Sequence, residues 1–166
     1  VKAFMSANMP DRLMEMLEKL VLQTSNSTFA RNTNLQNLLL LTAIKADKDR
    51  VMEYVRRLDN YDGADIAQVA VGEDLFEVAF AIYQKFEQHV EAVGVLLDHC
   101  KDFSRGEEYA LKVDQSGVWS RLGVAQLENG MMAAGVNSLI KSKDPAPYKA
   151  VIEAAQSGGD GGRLSV

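Results

Sequence analysis

The chain has 166 residues, 47% of them hydrophobic and 25% charged, which suffices for the core of one ordinary domain. A formal net charge of −5 excludes a general nucleic-acid binder, which needs concentrated Lys and Arg to displace counterions. A single cysteine, Cys100, excludes an internal disulfide and fits a reducing compartment, and no apolar run reaches the roughly 18 residues of a membrane span.

The chain opens at Val1 in an apolar pattern (Val1, Ala3, Phe4, Met5), which reads as a piece of something longer. Pro10-Asp11 starts the first full helix, predicted through about Gln23. Leu13, Met16, Leu17, Leu20 and Val21 form its stripe at i, i+3, i+4, i+7, i+8 spacing. Thr24 to Thr33 is polar and reads as a loop, with Phe29 expected to pin it down. Leu35 to Ala46 is apolar nearly all round, so it should be buried on more than one side. Asp49 is placed to cap the next helix, which should bury Val51, Met52, Tyr54, Val55 and Leu58. LDNYDGAD then breaks the pattern, with Asp62 or Asp65 as the next cap.

From Ile66 the chain reads IAQVAVGEDLFEVAFAIYQKF, two apolar stretches around a turn at Gly72-Glu73-Asp74. Val93 to Val113 repeats the layout with its turn near Lys101-Asp102. Trp119 to Ser142 repeats it most clearly: Trp119, Leu122, Val124, Ala125 and Leu127, a turn at Asn129-Gly130, then Met132, Val136, Leu139 and Ile140. A connection is expected at Asp144–Pro147. The Gly-rich run Ser157–Gly162 cannot hold a stable helix. The organisation is therefore a helical-repeat domain over residues 1–157 and a Gly-rich tail at 158–166.

The repeats begin at Leu35, Ile66, Val93, Leu122 and Val151, which are 31, 27, 29 and 29 residues apart by subtraction. Such a near-constant step marks an all-α solenoid of stacked short hairpins, in which each hairpin buries its faces only against its neighbours. Leu39, Ile44, Met52, Phe76, Phe80, Leu97, Trp119 and Leu139 are its expected core. Gly94, Gly106, Gly117, Gly123 and Gly135 are read as points of close helix approach.

No catalytic constellation accompanies this pattern. Asp98-His99-Cys100 gathers three potential ligands, but consecutive helical residues point in different directions, and His89 is ten residues from His99 with no zinc-type spacing. Cys100 extends the stripe Val93, Leu96, Leu97 and reads as core. Asp59 to Gly63 resembles a calcium loop only until its ends are checked: with Gly63 at the sixth position, Leu58 and Val69 stand where carboxylates are required. Glu107-Glu108 and Glu73-Asp74 read as solvated pairs, and Arg56-Arg57 as cations at a helix end. Asn26-Ser27-Thr28 has the form of a glycosylation site and reads as a chance match. We expect no enzyme activity, no metal and no cofactor, and the sequence singles out no interface residue.

Trp119-x-x-Leu122-Gly123 first suggests a tetratricopeptide repeat, hence an adaptor binding a peptide in a concave groove. Gln126 and Gly135 depart from that motif, and the steps fall short of its 34 residues. Longer words carry a closer resemblance. VKAFMSANMPDRLMEMLEKLVL, NLQNLLLLTAIKAD, RVMEYVRRLDNYD, LFEVAFAIYQKF and VWSRLGVAQLENGM, in that order from Val1 to Met131, resemble the clathrin heavy chain. The resemblance runs to about Ser157 and places the chain near the junction of the distal and proximal leg. It implies a right-handed superhelix of short helix pairs and a structural role in triskelion legs. It also implies assembly with other heavy chains into a trimer and a polyhedral lattice, in endocytosis, vesicle sorting and intracellular protein transport. The light chain would bind toward the C-terminal end. The implied location is cytoplasmic, on the cytoplasmic face of coated pits and vesicles, with no nucleic acid bound and no direct membrane insertion.

Overall fold

A computed structural model describes residues 9–144, together with residues 149, 151–153 and 156. The opening apolar pattern, the expected connection at 145–147 and the Gly-rich tail lie outside the described residues. Over residues 9–144 the helices are, in order, α1 (Met9–Val21), α2 (Ser27–Ala30), α3 (Thr33–Ala46), α4 (Lys48–Arg57), α5 (Gly63–Gly72), α6 (Phe76–Lys85), α7 (His89–Asp98), α8 (Phe103–Val113), α9 (Ser116–Glu128) and α10 (Met132–Ser142). Among the described residues there is no strand.

The chain divides into two compact units, one ending at Glu87 and the other beginning at Gln88. In the first, α3 packs on α4 and α5 on α6, which are the two hairpins. In addition α3 packs on α5, α4 on α6, and α1 on α3. Alternate helices therefore lie side by side, which is how stacked hairpins build an α-solenoid. In the second unit α7 pairs with α8 and α9 with α10, and α7 stacks on α9.

Local chemistry explains the helix ends. Asn26 Oδ1 accepts from the Thr28 amide at 3.0 Å, Asn32 Oδ1 from Leu35 at 3.0 Å, and Asp102 Oδ1 from Arg105 at 3.0 Å, each satisfying a first-turn donor. The segment read as a featureless loop thus contains the short helix α2. Asn26 of the sequon is its N-cap. The α4 N-cap is Asp47, whereas Asp49 sits inside the first turn. Asp62 precedes α5. The turns expected at 72–74, 101–102 and 129–130 are present, each containing a left-handed residue: Asp74, Lys101 and Gly130.

The core contains Leu39, Ile44, Leu97, Trp119 and Leu139 as expected. Met52, Phe76 and Phe80 are only half-buried; Val51, Tyr54 and Val55 on α4, and Val78, Ala79 and Ile82 on α6, take the inner positions instead. On α1 the buried row is Met14, Leu17 and Val21, while Met16 is 54% exposed. The helix has apolar residues over a broad arc, and packing on α3 selects one side of it. Leu38 and Leu41 leave the solvent side of α3 apolar, although Gln36, Leu39, Leu40, Thr42, Ala43 and Ile44 are buried. Phe29 is 44% exposed and does not pin its segment. Cys100 is half-buried in the turn after α7, because the helix ends at Asp98 before the stripe can reach it.

Candidate functional site

The residues weighed for chemistry do not converge. Asp98 pairs with Arg121 of α9, and His99 is exposed. His89 Nδ1 lies 2.5 Å from the Tyr109 hydroxyl, with the rings 5.9 Å apart, so it fastens α7 to α8. Glu107 and Glu108 are exposed on α8. Among the described residues no group of three His, Cys, Asp or Glu side chains is placed to hold a metal ion. Arg56 and Arg57 occupy the last turn of α4, where cations complement the helix dipole.

The residues that resembled a calcium loop are occupied with tying hairpins together. Gln36, 1% exposed on α3, donates from Nε2 to the Ala30 carbonyl at 2.7 Å, and its Oε1 accepts from the Asn60 amide at 2.8 Å. Asn37 and Asp62 pair reciprocally: the Asp62 amide donates to Asn37 Oδ1 at 2.9 Å, and Asn37 Nδ2 donates to Asp62 Oδ2 at 2.7 Å. Asn60 Nδ2 donates to the Arg31 carbonyl and, at 3.2 Å, to Thr33 Oγ1. The connector from α4 to α5 is therefore held against the start of α3.

The same connector is gripped from α6. Lys85 Nζ donates to the carbonyls of Val55 at 2.8 Å, Arg56 at 3.3 Å and Leu58, and it stands 5.8 Å from the centre of the Tyr61 ring. These carbonyls belong to the end of α4, where an α-helix offers its last acceptors no N–H donors of its own. Burial holds the Lys85 ammonium below the usual lysine range, an effect that Asp59 partly opposes. Tyr61 stacks edge-on against Phe86 at 5.0 Å, and the Phe86 ring fills the space a side chain would need at Gly63, where a Cβ would stand 2.5 Å from Cδ2. Burial pushes the Tyr61 phenol far above the ordinary tyrosine range.

Two charged clusters reinforce the first unit. Glu18 of α1 accepts from the Tyr54 hydroxyl and pairs with Arg50 at 3.2 Å. Burial first, and then the Glu18 hydrogen bond, push the Tyr54 phenol up to about 12, with Arg50 opposing. Glu73 pairs with Lys45 and, at 3.7 Å, with Lys48, and the lysines hold its carboxyl below the usual range.

In the second unit the closest joint is α9 against α10. A Cβ on Gly123 would meet the Leu139 side chain at 2.8 Å and the Gly135 carbonyl oxygen at 3.0 Å; one on Gly135 would meet Leu127 at 2.7 Å and the Gly123 oxygen at 3.1 Å. Ser138 Oγ donates to Gln126 Oε1 at 2.6 Å inside this contact. Gly106, against Leu97 at 2.9 Å, and Gly117, against Val90 at 3.1 Å, also mark close approaches, but Gly94 does not: its nearest neighbour would be Arg121 at 3.9 Å. Trp119 Nε1 donates to Asp114 at 2.9 Å, and Lys141 Nζ stands 4.6 Å from the centre of its ring.

Besides Leu38 and Leu41 on α3, apolar side chains are exposed on α1 and α10. On α1 these are Met9 and Met16, and on α10 Met132, Val136 and Ile140, which recur every fourth residue. Of the second stripe expected after Gly130, only Leu139 is buried. The polar ties of Gln36, Asn37, Asn60 and Lys85 went unread in the sequence. The available signal was a glutamine interrupting an apolar helix face, as at Gln36 and again at Gln126.

The family model described as "Clathrin: Region in Clathrin and VPS" matches residues 1–134. Clathrin heavy chain 2 of Oryza sativa subsp. japonica is 52% identical over 156 residues, covering 94% of this chain and 9% of that protein. Clathrin heavy chain 2 of Homo sapiens is 48% identical over 155 residues, and the clathrin heavy chain of Drosophila melanogaster 46% over 155, each covering 93% of this chain and 9% of the relative. The chain thus spans 9% of the length of these curated relatives. With hairpin stacking, polar ties at the joints and this likeness in hand, the chain belongs to the clathrin heavy-chain family.

Proposed function

We propose that this chain is a leg segment of a vesicle-coat scaffold, a strut within a triskelion that contributes to a polyhedral lattice in endocytosis and vesicle sorting. Membership of the heavy-chain family carries this reading. The stacked hairpins support it, because a solenoid transmits shape along its length through neighbour-to-neighbour contacts. The role is structural and not catalytic. The partners we propose are other heavy chains, in the trimer and the lattice, with a light chain toward the C-terminal end. The strut would occupy residues 1–157, with the Gly-rich 158–166 as a tail. The proposed location is the cytoplasmic face of coated pits and vesicles. Among the described residues no helix is long and apolar enough to cross a membrane. Lateral contacts in such a lattice can be weak individually, since linkage raises their effective concentration. The tetratricopeptide-like alternative has no comparable support.

A chimera tests the reading. In a full-length rice heavy chain, these residues would replace the aligned stretch, and the purified protein would be assembled in vitro and viewed by negative-stain electron microscopy. Closed cages are the expected result. A chimera that trimerises normally but forms no cages would contradict the strut assignment.

A further inference from the structure

We infer that Lys85 is a charge-operated latch on the joint between the α3–α4 and α5–α6 hairpins. It reaches from the last turn of α6 to three carbonyls at the end of α4, those of Val55, Arg56 and Leu58. No neutral side chain of that length supplies three donors to so tight a cluster. A helix C-terminus also carries partial negative charge, so a cation held there gains from the dipole as well as from the hydrogen bonds. The Tyr61 ring stands on the same ammonium at 5.8 Å, and the Tyr61 hydroxyl donates to the Val55 carbonyl at 3.2 Å. One side chain thus holds the helix end and its outgoing connector together.

The other polar fastenings of that connector come from the α3 side, while Phe86 packs on Tyr61 from the α6 side. Asn60 and Asp62 are held by Gln36 and Asn37 of α3. Neutralising Lys85 therefore removes the polar grip from α6, while the Tyr61–Phe86 packing and the α3 ties keep the connector in place. The device sets local stiffness at one joint without dismantling the fold. Its use, tuning the bend of a strut, rests on the function proposed above. The latch itself is tested separately, so either can fail without the other.

Two measurements on the 166-residue chain decide it. In the wild type, competitive labelling with a trace of acetic anhydride followed by peptide mass spectrometry compares Lys85 with the exposed Lys112. With each rate referred to that lysine's own free-amine fraction, taken from the pH dependence of labelling, Lys85 is expected to react about tenfold more slowly, the ratio a net hydrogen-bonding gain of about 1.4 kcal/mol would give. Equal rates would mean that the latch stands open in solution and would overturn the inference. In the second measurement Lys85→Gln and Lys85→Arg are compared by amide hydrogen exchange. Lys85→Gln is expected to speed exchange at residues 55–62 by about tenfold, leaving α9 and α10 unchanged, while Lys85→Arg keeps most of the protection. Unchanged exchange in Lys85→Gln would sink the idea, as would equal loss in both variants. Collapse of the whole first unit would also count against it, because Lys85 would then be a determinant of the fold and not of one joint.

Discussion

Gly123 and Gly135 occupy each other's side-chain space: a Cβ on either one would come within 3.0 or 3.1 Å of the other's carbonyl oxygen. The obstruction is partly backbone, so a rotamer change cannot relieve it. Alanine raises helix propensity by about 0.5–1 kcal/mol over glycine, but overpacking here should cost about 1–3 kcal/mol and prevail. Gly123→Ala and Gly135→Ala should each lower the urea midpoint. Gly94→Ala, with nothing nearer than 3.9 Å, should raise it. A stabilised Gly123→Ala would show that α9 and α10 sit farther apart.

Gln36 should behave as a structural residue despite its polarity. Replacing it with Leu removes the partners of the Ala30 carbonyl and the Asn60 amide. The expected loss is about 1–3 kcal/mol, the cost of leaving such groups unmatched. Denaturant titration gives the total, and the exchange rate of the Asn60 amide localises it. An Asn60 amide that stays protected in Gln36→Leu would refute the proposed tie.

Core and surface should separate cleanly along the second unit. Leu97→Ala and Leu139→Ala are expected to cost about 2–5 kcal/mol each, since both side chains are enclosed. Ile140→Ala, at a side chain 68% exposed, should stay within about 0.5 kcal/mol in this chain. Thermal and urea unfolding of the three variants checks the assignment of the α10 faces. A large loss at Ile140 would mean that its face is covered.

Alkaline pH should weaken the first unit through Tyr54. Its phenol titrates near 10 when unfolded and at about 12 in the fold. The native state therefore holds the proton more tightly, and this contribution is complete below pH 10 and lost as pH rises through 12. Urea unfolding between pH 8 and 12 should show the decline, and Tyr54→Phe should flatten part of it. An identical slope in the variant would remove Tyr54 from the account.

Much of the architecture was legible because periodicity reports helices directly. The hairpin turns at Gly72–Asp74 and Asn129-Gly130 and the inner residues Leu39, Leu97 and Trp119 follow from it. What failed was the choice of face where apolar residues cover a broad arc. Met16 and Ile140 belong to patterns as regular as those of Met14 and Leu139, yet only the latter are buried. Periodicity records which side of a helix is apolar, whereas burial depends on what is stacked there. The ties at Asn60 and Lys85 were invisible for a related reason. They join residues 24 to 30 positions apart, and nothing local in the sequence distinguishes them from ordinary surface amides and cations.

Within each unit, the pairing of helices with the next, or the next but one, also bears on how that unit reaches its fold. Within each unit the helix pairs described above join segments close in sequence, so local contact order is low and little loop-closure entropy opposes each step. A hairpin such as α3–α4 can form as soon as it leaves the ribosome and then serve as the template for α5–α6. In relatives about ten times longer than this chain, such neighbour-only packing would let each hairpin form as it is synthesised and keep a damaged hairpin a local lesion.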